Sequence, residues 1–232
     1  PKLRVSQKHL RLRWECIREI AGFSVLTCVQ QSVMNLGILM VQGLVNSFGP
    51  AVMAAFAAAV KIDAFAYMPV QDFGNAFSTF IAQNYGAGER ERIRAGLGGA
   101  VRAAVIFCVI ISAGVWVLAK PLMLIFVNPS ETEILAEGIR YLHIEGAFYC
   151  GIGCLFLLYG LYRALGKPGM SVVLTVISLG SRVALAYLLS GVTGIGVVGI
   201  WWSVPIGWFL ADTTGLLYYI ARRKSLLSMP EK

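Results

Sequence analysis

Charge is scarce in this sequence, and its absence is concentrated in long runs. Of 232 residues only 14% are charged, 57% are hydrophobic, and the mean hydropathy is +0.71. About a quarter of the residues in an ordinary soluble domain are charged, so the composition excludes that class. No charged residue occurs in residues 20–60, 103–119, 146–162 or 183–211. A bilayer core about 30 Å thick demands such tracts of its spanning helices, and they predict an all-α polytopic membrane protein.

The sequence also lacks the motifs of intramembrane enzymes and metal sites. It has only two histidines and no G-x-S-x-G, which argues against a membrane serine protease. Asp72 and Asp212 are candidates for a pair of catalytic aspartates, but no flanking motif supports them. Cys150 and Cys154 have no nearby histidine or second cysteine pair with which to hold a metal. An intramembrane enzyme or a purely structural membrane module is therefore kept only as an alternative class.

Six spanning helices are predicted from the apolar tracts. They cover residues 20–45, 51–83, 101–119, 141–165, 170–189 and 196–221. A basic arm of residues 1–19 precedes the transmembrane region of residues 20–224, and a tail of residues 225–232 follows it. The sequence opens with Pro1 rather than Met, shows no signal peptide and enters an apolar helix directly from the arm. We therefore expect a piece of a longer protein, in which the arm is an interior loop.

Lysine and arginine are unevenly divided between the two ends of the predicted bundle. One end has sixteen of the 20, in residues 2–18, 90–102, 163–167 and 222–232. The other end has only Lys120 and Arg140. Basic loops stay in the cytoplasm, so we predict a plasma-membrane protein with both termini cytoplasmic. The net charge of +8 is then a signal of topology and does not indicate nucleic acid.

Polar residues share faces on the first two predicted helices. Gln31 and Asn35 are four residues apart in the first, and Asp72 and Asn75 are three apart in the second, spacings that place each pair on one helical face. Hydrocarbon cannot satisfy polar groups, so these faces point to protein or water. We predict that the four residues, with Asp212 deep in the sixth helix, line a substrate or ion pathway. Interhelical hydrogen bonds are the alternative for the carboxamides.

Three further charges fall inside predicted helices. Lys61 and Asp63 are two residues apart, so they project from different faces and cannot readily pair with each other. Asp63 and Arg182 both lie in the outward half of the bundle by residue count. Because a lone buried charge is costly, we predict a structural ion pair between Asp63 and Arg182.

An acidic residue also lies between two tyrosines in the predicted fourth helix. Tyr141, Glu145 and Tyr149 recur every four residues, so they share a face. Near the outer mouth, Glu145 would attract cations, or would bind the tyrosine hydroxyls and Arg140. The structural role is the one that we favour.

Three short motifs resemble those of one transporter family. The Gly-Ala-Gly turn that ends the second helix of each lobe in multidrug and toxin extrusion (MATE) transporters resembles Q-N-Y-G-A-G-E-R-E-R (83–92). The turn after their fourth helix resembles G-L-Y-R-A-L-G-K-P (160–168). The start of their last helix resembles G-I-G-V-V-G-I-W-W-S-V-P (194–205). Arg182 also falls where these proteins often have an arginine. The resemblance extends from about residue 17 to residue 223, and it depends on the order and spacing of the motifs.

The resemblance implies a fold and an activity. MATE transporters have twelve helices in two six-helix lobes across a central cleft, and this chain resembles the C-terminal lobe. The implied function is that of a secondary antiporter, which exports organic cations or drugs in exchange for Na⁺ or H⁺ by alternating access and needs no cofactor. Its implied partners are small organic cations, membrane lipid and the missing N-terminal lobe. A flippase for lipid-linked sugars is the alternative within the same superfamily, and its cavity would be more basic.

One departure from the family pattern concerns the coupling ion. Some members place a glutamate in the first helix of this lobe and an aspartate in its fourth, as cation ligands. The matching positions here are Gln31 and Ile152, neither of which can be negatively charged. The comparison therefore implies that Na⁺ or H⁺ binds mainly in the missing lobe. The residual candidates in this chain are Asp63, Asp72, Glu145 and Asp212.

Overall fold

The computed structural model describes residues 14–192 and 194–226, and in this part of the chain it contains seven helices and no strand. The helices are α1 (Trp14–Asn46), α2 (Pro50–Ala87), α3 (Arg90–Met123), α4 (Thr132–Gly146), α5 (Tyr149–Ala164), α6 (Pro168–Ser190) and α7 (Val197–Leu226). The all-α prediction is confirmed. Most of the predicted basic arm and the end of the predicted tail, residues 1–13 and 227–232, lie outside the described residues.

The Gly-Ala-Gly turn separates α2 from α3. Gly88 has φ of +78°, a left-handed backbone conformation that glycine adopts without steric cost. The Gly88 N–H donates to the Tyr85 carbonyl at 3.2 Å, and the Glu89 N–H donates to the Asn84 carbonyl at 2.9 Å. This pair of bonds satisfies the last carbonyls of α2. The motif therefore has a local structural role: the turn ends α2, and α3 begins directly after it.

The predicted fourth helix, residues 141–165, is wrong as a single element. The structure instead has α4 and α5, which are bent by 52° at a short break. At the break, the Phe148 N–H donates to the Glu145 carbonyl at 2.9 Å, and the Gly151 N–H donates to the Phe148 carbonyl at 2.8 Å. Such bonds to the third preceding residue tighten the backbone and interrupt the α-helical ladder. Gly146 allows α3 to come close, because a β-carbon there would lie 3.3 Å from Val115 Cγ1.

Four of the described helices are long and apolar enough to cross a membrane. They are α1 from residue 20, α2, α3 and α6, and the bent pair α4 and α5 makes a fifth. The predicted sixth span corresponds to α7, which has 30 residues but does not reach the same apolarity. Asp212, Thr213 and Thr214 lower its hydropathy. Length and composition thus support up to five spans in the described chain, and α7 completes the bundle by packing against α6.

Glycines form the closest helix crossings. A β-carbon added to Gly207 in α7 would lie 2.5 Å from the Ser178 carbonyl oxygen in α6, and one on Gly160 in α5 would lie 2.5 Å from the Gly74 carbonyl oxygen in α2. Small residues let membrane helices approach to this distance. The bundle is therefore held at fixed crossings, which position the side chains of its polar interior.

Gly207→Ala is expected to destabilise the complete protein, because its new methyl group meets backbone rather than a movable side chain. Overpacking of this kind costs about 1–3 kcal/mol, and thermal unfolding of the purified protein in detergent measures the loss. Gly180→Ala is the matched control, since a β-carbon on Gly180 in α6 meets nothing within 4 Å. Equal melting temperatures for the two variants would contradict the close α6–α7 contact.

Candidate ion- and substrate-binding site

A polar cavity of about 290 Å³ lies among the apolar helices. Six helices contribute to it, namely α1, α2, α4, α5, α6 and α7. Its polar side chains are Gln31 and Asn35 from α1, Asp63, Tyr67 and Gln71 from α2, Tyr141 and Glu145 from α4, Tyr159 from α5, Ser178 and Arg182 from α6, and Trp208 from α7. The remaining wall is apolar. Polar residues that are distant in sequence thus converge at one place inside the bundle.

Asp63 is the most firmly held acid of this cavity. Its side chain is only 2% exposed. The Tyr141 hydroxyl donates to Asp63 Oδ2 at 2.8 Å, and the Tyr149 hydroxyl donates to Asp63 Oδ1. The two tyrosines lie on either side of the α4–α5 break. Their hydroxyls stabilise the carboxylate, since hydrogen bonds to a charged group contribute about 1.5–3 kcal/mol each.

The predicted ion pair between Asp63 and Arg182 is not formed. Among the described residues no Arg182 nitrogen lies within 4.0 Å of a carboxylate, and Arg182 Nε is buried without a hydrogen-bond partner. Both residues line the cavity, so the prediction of proximity holds and the prediction of contact does not. The Asp63 oxygens instead accept one hydrogen bond each from the two tyrosine hydroxyls, so the cost of burying this carboxylate is offset without a contact to Arg182.

Glu145 lies beside Asp63. Its side chain is 3% exposed, it interacts with both Asp63 and Tyr141, and its Oε1 atom has no hydrogen-bond partner. Two neighbouring carboxylates in a medium of low dielectric repel each other strongly, and a proton or a cation bound between them relieves that repulsion. Arg140, suggested by the sequence as a partner for Glu145, instead contacts Glu137 at 3.2 Å.

Arg182 gives the cavity a single positive charge among its described lining residues. Its charge lies close enough to act on Tyr141 and Glu145. Its nitrogen atoms nevertheless lie more than 4.0 Å from the carboxyl groups of Asp63 and Glu145. The formal charge of the site is therefore −1 when both acids are ionised and zero when one acid is neutralised. Loading with one proton or one monovalent cation makes the buried site electrically neutral.

The structure divides the predicted pathway residues. Gln31 and Asn35 lie on the wall of the polar cavity, as the helical spacing predicted, and their role in a pathway stays a prediction. Asp72 and Asn75 do not line it. Asp72 is exposed on this lobe, and Asn75 Oδ1 accepts a hydrogen bond from Arg163 Nη2 at 2.9 Å.

Asp212 is buried, with 8% exposure, but it also lies outside the polar cavity. It packs against α5, where a β-carbon on Gly151 would lie 3.8 Å from Asp212 Oδ2. Its neighbour there is the Cys154 thiol, and its Oδ1 atom has no hydrogen-bond partner. Trp208, one turn earlier in α7, lines the cavity instead. Sequence position showed that Asp212 is deep in its helix but could not show which neighbour it faces.

Sequence reasoning missed the link between Asp63 and the two tyrosines. The four-residue spacing of Tyr141, Glu145 and Tyr149 was the available signal, but it predicted one face of one helix, whereas the two tyrosines lie on different helices and meet at Asp63. Asp63 is 78 residues from Tyr141, and no local pattern connects them. The break after Gly146 was equally hidden, because the apolar run continues through it.

Comparison with known proteins shows relatives and solved structures that resemble this chain over nearly its whole length. The chain is 28% identical over 222 residues to the probable multidrug resistance protein YpnP of Bacillus subtilis, and the alignment covers 95% of this chain and 49% of YpnP. A solved outward-facing MATE multidrug transporter of the MOP superfamily superposes with a TM-score of 0.87 at 20% identity, covering 96% of this chain and 50% of that one. A MOP-superfamily transporter from Pyrococcus furiosus superposes with a TM-score of 0.88 at 19% identity, with the same coverage.

The described chain is thus an apolar helical bundle in which charged residues converge on one cavity. The profile of the MatE family matches residues 25–188, and the chain belongs to this family. The sequence-based resemblance is confirmed. Members of the family are transporters and not enzymes, and the apolar helices of this chain are those of a multi-pass membrane protein. It spans about half the length of the relatives that it matches and corresponds to one lobe of the solved transporters.

Proposed function

We propose that the complete protein is a secondary antiporter that exports organic cations in exchange for Na⁺ or H⁺, with this chain as its C-terminal lobe. The observation that carries the proposal is that two buried acids, Asp63 and Glu145, line one cavity of an otherwise apolar bundle. Intramembrane acids commonly mark ion and proton pathways. The proposed partners are the second lobe of the same polypeptide and the surrounding lipid.

The acid pair gives this lobe an ion site of its own. Gln31 and Ile152, the neutral residues at the family's carboxylate positions, line the same cavity as Asp63 and Glu145. Negative charge is therefore supplied from neighbouring positions of the same space. The unpartnered Glu145 Oε1 is free to hold a proton or to join the Asp63 oxygens around Na⁺, a cation that prefers oxygen ligands. Binding mainly in the missing lobe stays a prediction, and the pair acts in addition to any site there.

The cavity wall suits an amphipathic cation. Tyr67, Phe156, Tyr159 and Trp208 line it, and aromatic faces attract cations by about 0.5–2 kcal/mol. The acids would attract the same charge, so substrate and coupling ion compete for one site. Competition of this kind permits exchange, because each ligand must leave before the other binds.

Alternating access then follows from the two-lobe arrangement. We place both termini in the cytoplasm, since the basic residues are concentrated at that end of the bundle. Rocking of one lobe against the other moves the opening from one face to the other, and Pro69 inside α2 provides a point where that helix can bend. The coupling ion drives the motion only if its affinity differs between the two states.

A lipid-linked sugar flippase is the competing function, and the charge of the cavity argues against it. An anionic pyrophosphate headgroup would require several basic residues, whereas Arg182 is the single one among the described lining residues and faces two acids.

Transport assays on the complete protein in proteoliposomes test the proposal. An imposed Na⁺ or H⁺ gradient should drive accumulation of a fluorescent organic cation, and the gradient that works identifies the coupling ion. The same vesicles without a gradient, and vesicles without protein, are the controls. Transport of a lipid-linked sugar with no response of the organic cation to either gradient would overturn the proposal in favour of the flippase.

A further inference from the structure

A second and larger cavity lies where α1 and α6 begin and α7 ends. Its volume is about 830 Å³, and it opens as a groove at the surface of the bundle. Arg18 in α1 and Lys167 in the turn before α6 lie at one end of the groove, near the end of the bundle. Leu26, Met170 and Val173 lie further along the same helices, towards the middle of the bundle. At about 1.5 Å of rise per residue, Leu26 is roughly 12 Å deeper than Arg18. The groove therefore has a basic end and an apolar floor.

The two cations at the groove are available to a ligand. Arg18 and Lys167 are both exposed, and among the described side chains neither has an ion-pair partner. No acidic residue is among the described residues that line the groove. The N-terminal end of α6, which begins at Pro168, adds the positive end of a helix dipole at the same position. Two exposed cations and the start of a helix at one place attract an anion.

Two glycines of the groove face open space. A β-carbon added to Gly22 in α1 or to Gly169 in α6 would meet nothing within 4 Å, and both residues line the groove. The neighbouring helices thus stay apart at this end, whereas α6 and α7 approach closely at Gly207. The space is open from the basic end to the apolar floor.

We propose that this groove binds an anionic phospholipid, with its phosphate between Arg18 and Lys167 and its acyl chains against Leu26, Met170 and Val173. A free phosphate would use the basic end alone and leave the apolar floor exposed, whereas a phospholipid matches both. Basic pockets between transmembrane helices on the cytoplasmic side bind anionic headgroups, and the groove lies at the end of the bundle predicted to be cytoplasmic. The proposal is independent of what the protein transports.

Native mass spectrometry of the complete protein, purified in neutral detergent, tests the lipid site. Titration with dioleoylphosphatidylglycerol should show one lipid that binds more tightly than any dioleoylphosphatidylcholine. In the double variant Arg18→Gln/Lys167→Gln we expect phosphatidylglycerol to bind about thirtyfold more weakly, since each cation near the surface contributes about 1 kcal/mol. Binding of phosphatidylcholine should not change.

The matched control removes two other cations at the same end of the bundle. Arg222 and Arg223 are exposed in α7 and do not line the groove, so Arg222→Gln/Arg223→Gln should keep the tight phosphatidylglycerol. Gly22→Phe puts a large side chain into the groove at a position where an added β-carbon meets nothing within 4 Å, and it should weaken the same lipid while the protein stays folded by size-exclusion chromatography.

Three results would overturn the lipid site. One is equal loss of phosphatidylglycerol in the two double variants, which would mean that the cations act only as general surface charge. Another is unchanged binding in all variants, as expected if the second lobe covers the groove. The third is displacement of the lipid by glycerol phosphate at equal concentration, which would show that the site recognises a free phosphate.

Discussion

Asp63→Asn in the complete protein should strongly reduce ion-coupled drug export while the protein remains folded. The amide has the shape of the carboxylate and can still bond to Tyr141 and Tyr149, the hydroxyls that hold Asp63. It cannot be negatively charged, so the pair with Glu145 loses its ability to bind a cation. Coupling free energies between sites are typically about 1–3 kcal/mol, and we expect the gradient-driven rate to fall by roughly 5- to 150-fold.

Asp72→Asn is the control for that experiment, because Asp72 is exposed and lies outside the cavity. We expect it to leave the transport rate and the folded yield unchanged. Glu145→Gln should behave like Asp63→Asn, since the two acids act as one site. Full gradient-driven transport by Asp63→Asn, or a greater loss in Asp72→Asn, would show that the coupling ion does not use this pair.

Arg182→Gln is expected to make the acid pair hold its cation too tightly. The guanidinium acts electrostatically on Glu145 without contacting it, so its removal leaves two acids with no opposing charge. Near a protein interior a unit charge several ångströms away contributes on the order of 1–3 kcal/mol. The half-saturating concentration of Na⁺ or H⁺ for transport should fall by about tenfold or more, and the maximal rate should fall because release becomes slow.

Arg140→Gln is the matched control for Arg182, because Arg140 pairs with Glu137 and does not line the cavity. It should leave the half-saturating ion concentration unchanged. Arg182→Lys should restore most of the wild-type value, since the position needs positive charge and makes no bidentate contact. A higher half-saturating concentration in Arg182→Gln, or a loss of folded yield without any change in ion affinity, would assign Arg182 a structural role instead.

Apolar tracts and turn residues predicted most helix positions, because each of these features acts on the backbone within a few residues. Apolar tracts located α1, α2, α3 and α6 to within a few residues, except that α1 and α3 begin earlier than predicted, at Trp14 and Arg90. The Gly-Ala-Gly turn predicted the end of α2, because a left-handed glycine terminates a helix by its own backbone geometry. The break between α4 and α5 was missed, since the residues around Gly146 are as apolar as a continuous helix would be.

The membership of the candidate site depended on contacts that the sequence pattern does not contain. Asp72 and Asp63 are both acids in α2, and nothing in their local surroundings ranks one above the other. Nine residues separate them, which is 900° of helical rotation at 100° per residue, so they face opposite sides of α2. The side that Asp63 occupies is the one covered by Tyr141 and Tyr149.

The sequence by itself determined that this is a helical membrane protein and that it belongs with the MATE transporters. Hydrocarbon rejects exposed backbone polar groups and charges, so these properties follow from composition and order alone. Tertiary structure alone decided which few polar groups share the interior: Asp63 and Glu145 line one cavity, whereas Asp212 lies outside it beside Gly151. The reason is that a helix fixes only the faces of its own residues, whereas the partner of each face is chosen by how closely neighbouring helices can pack.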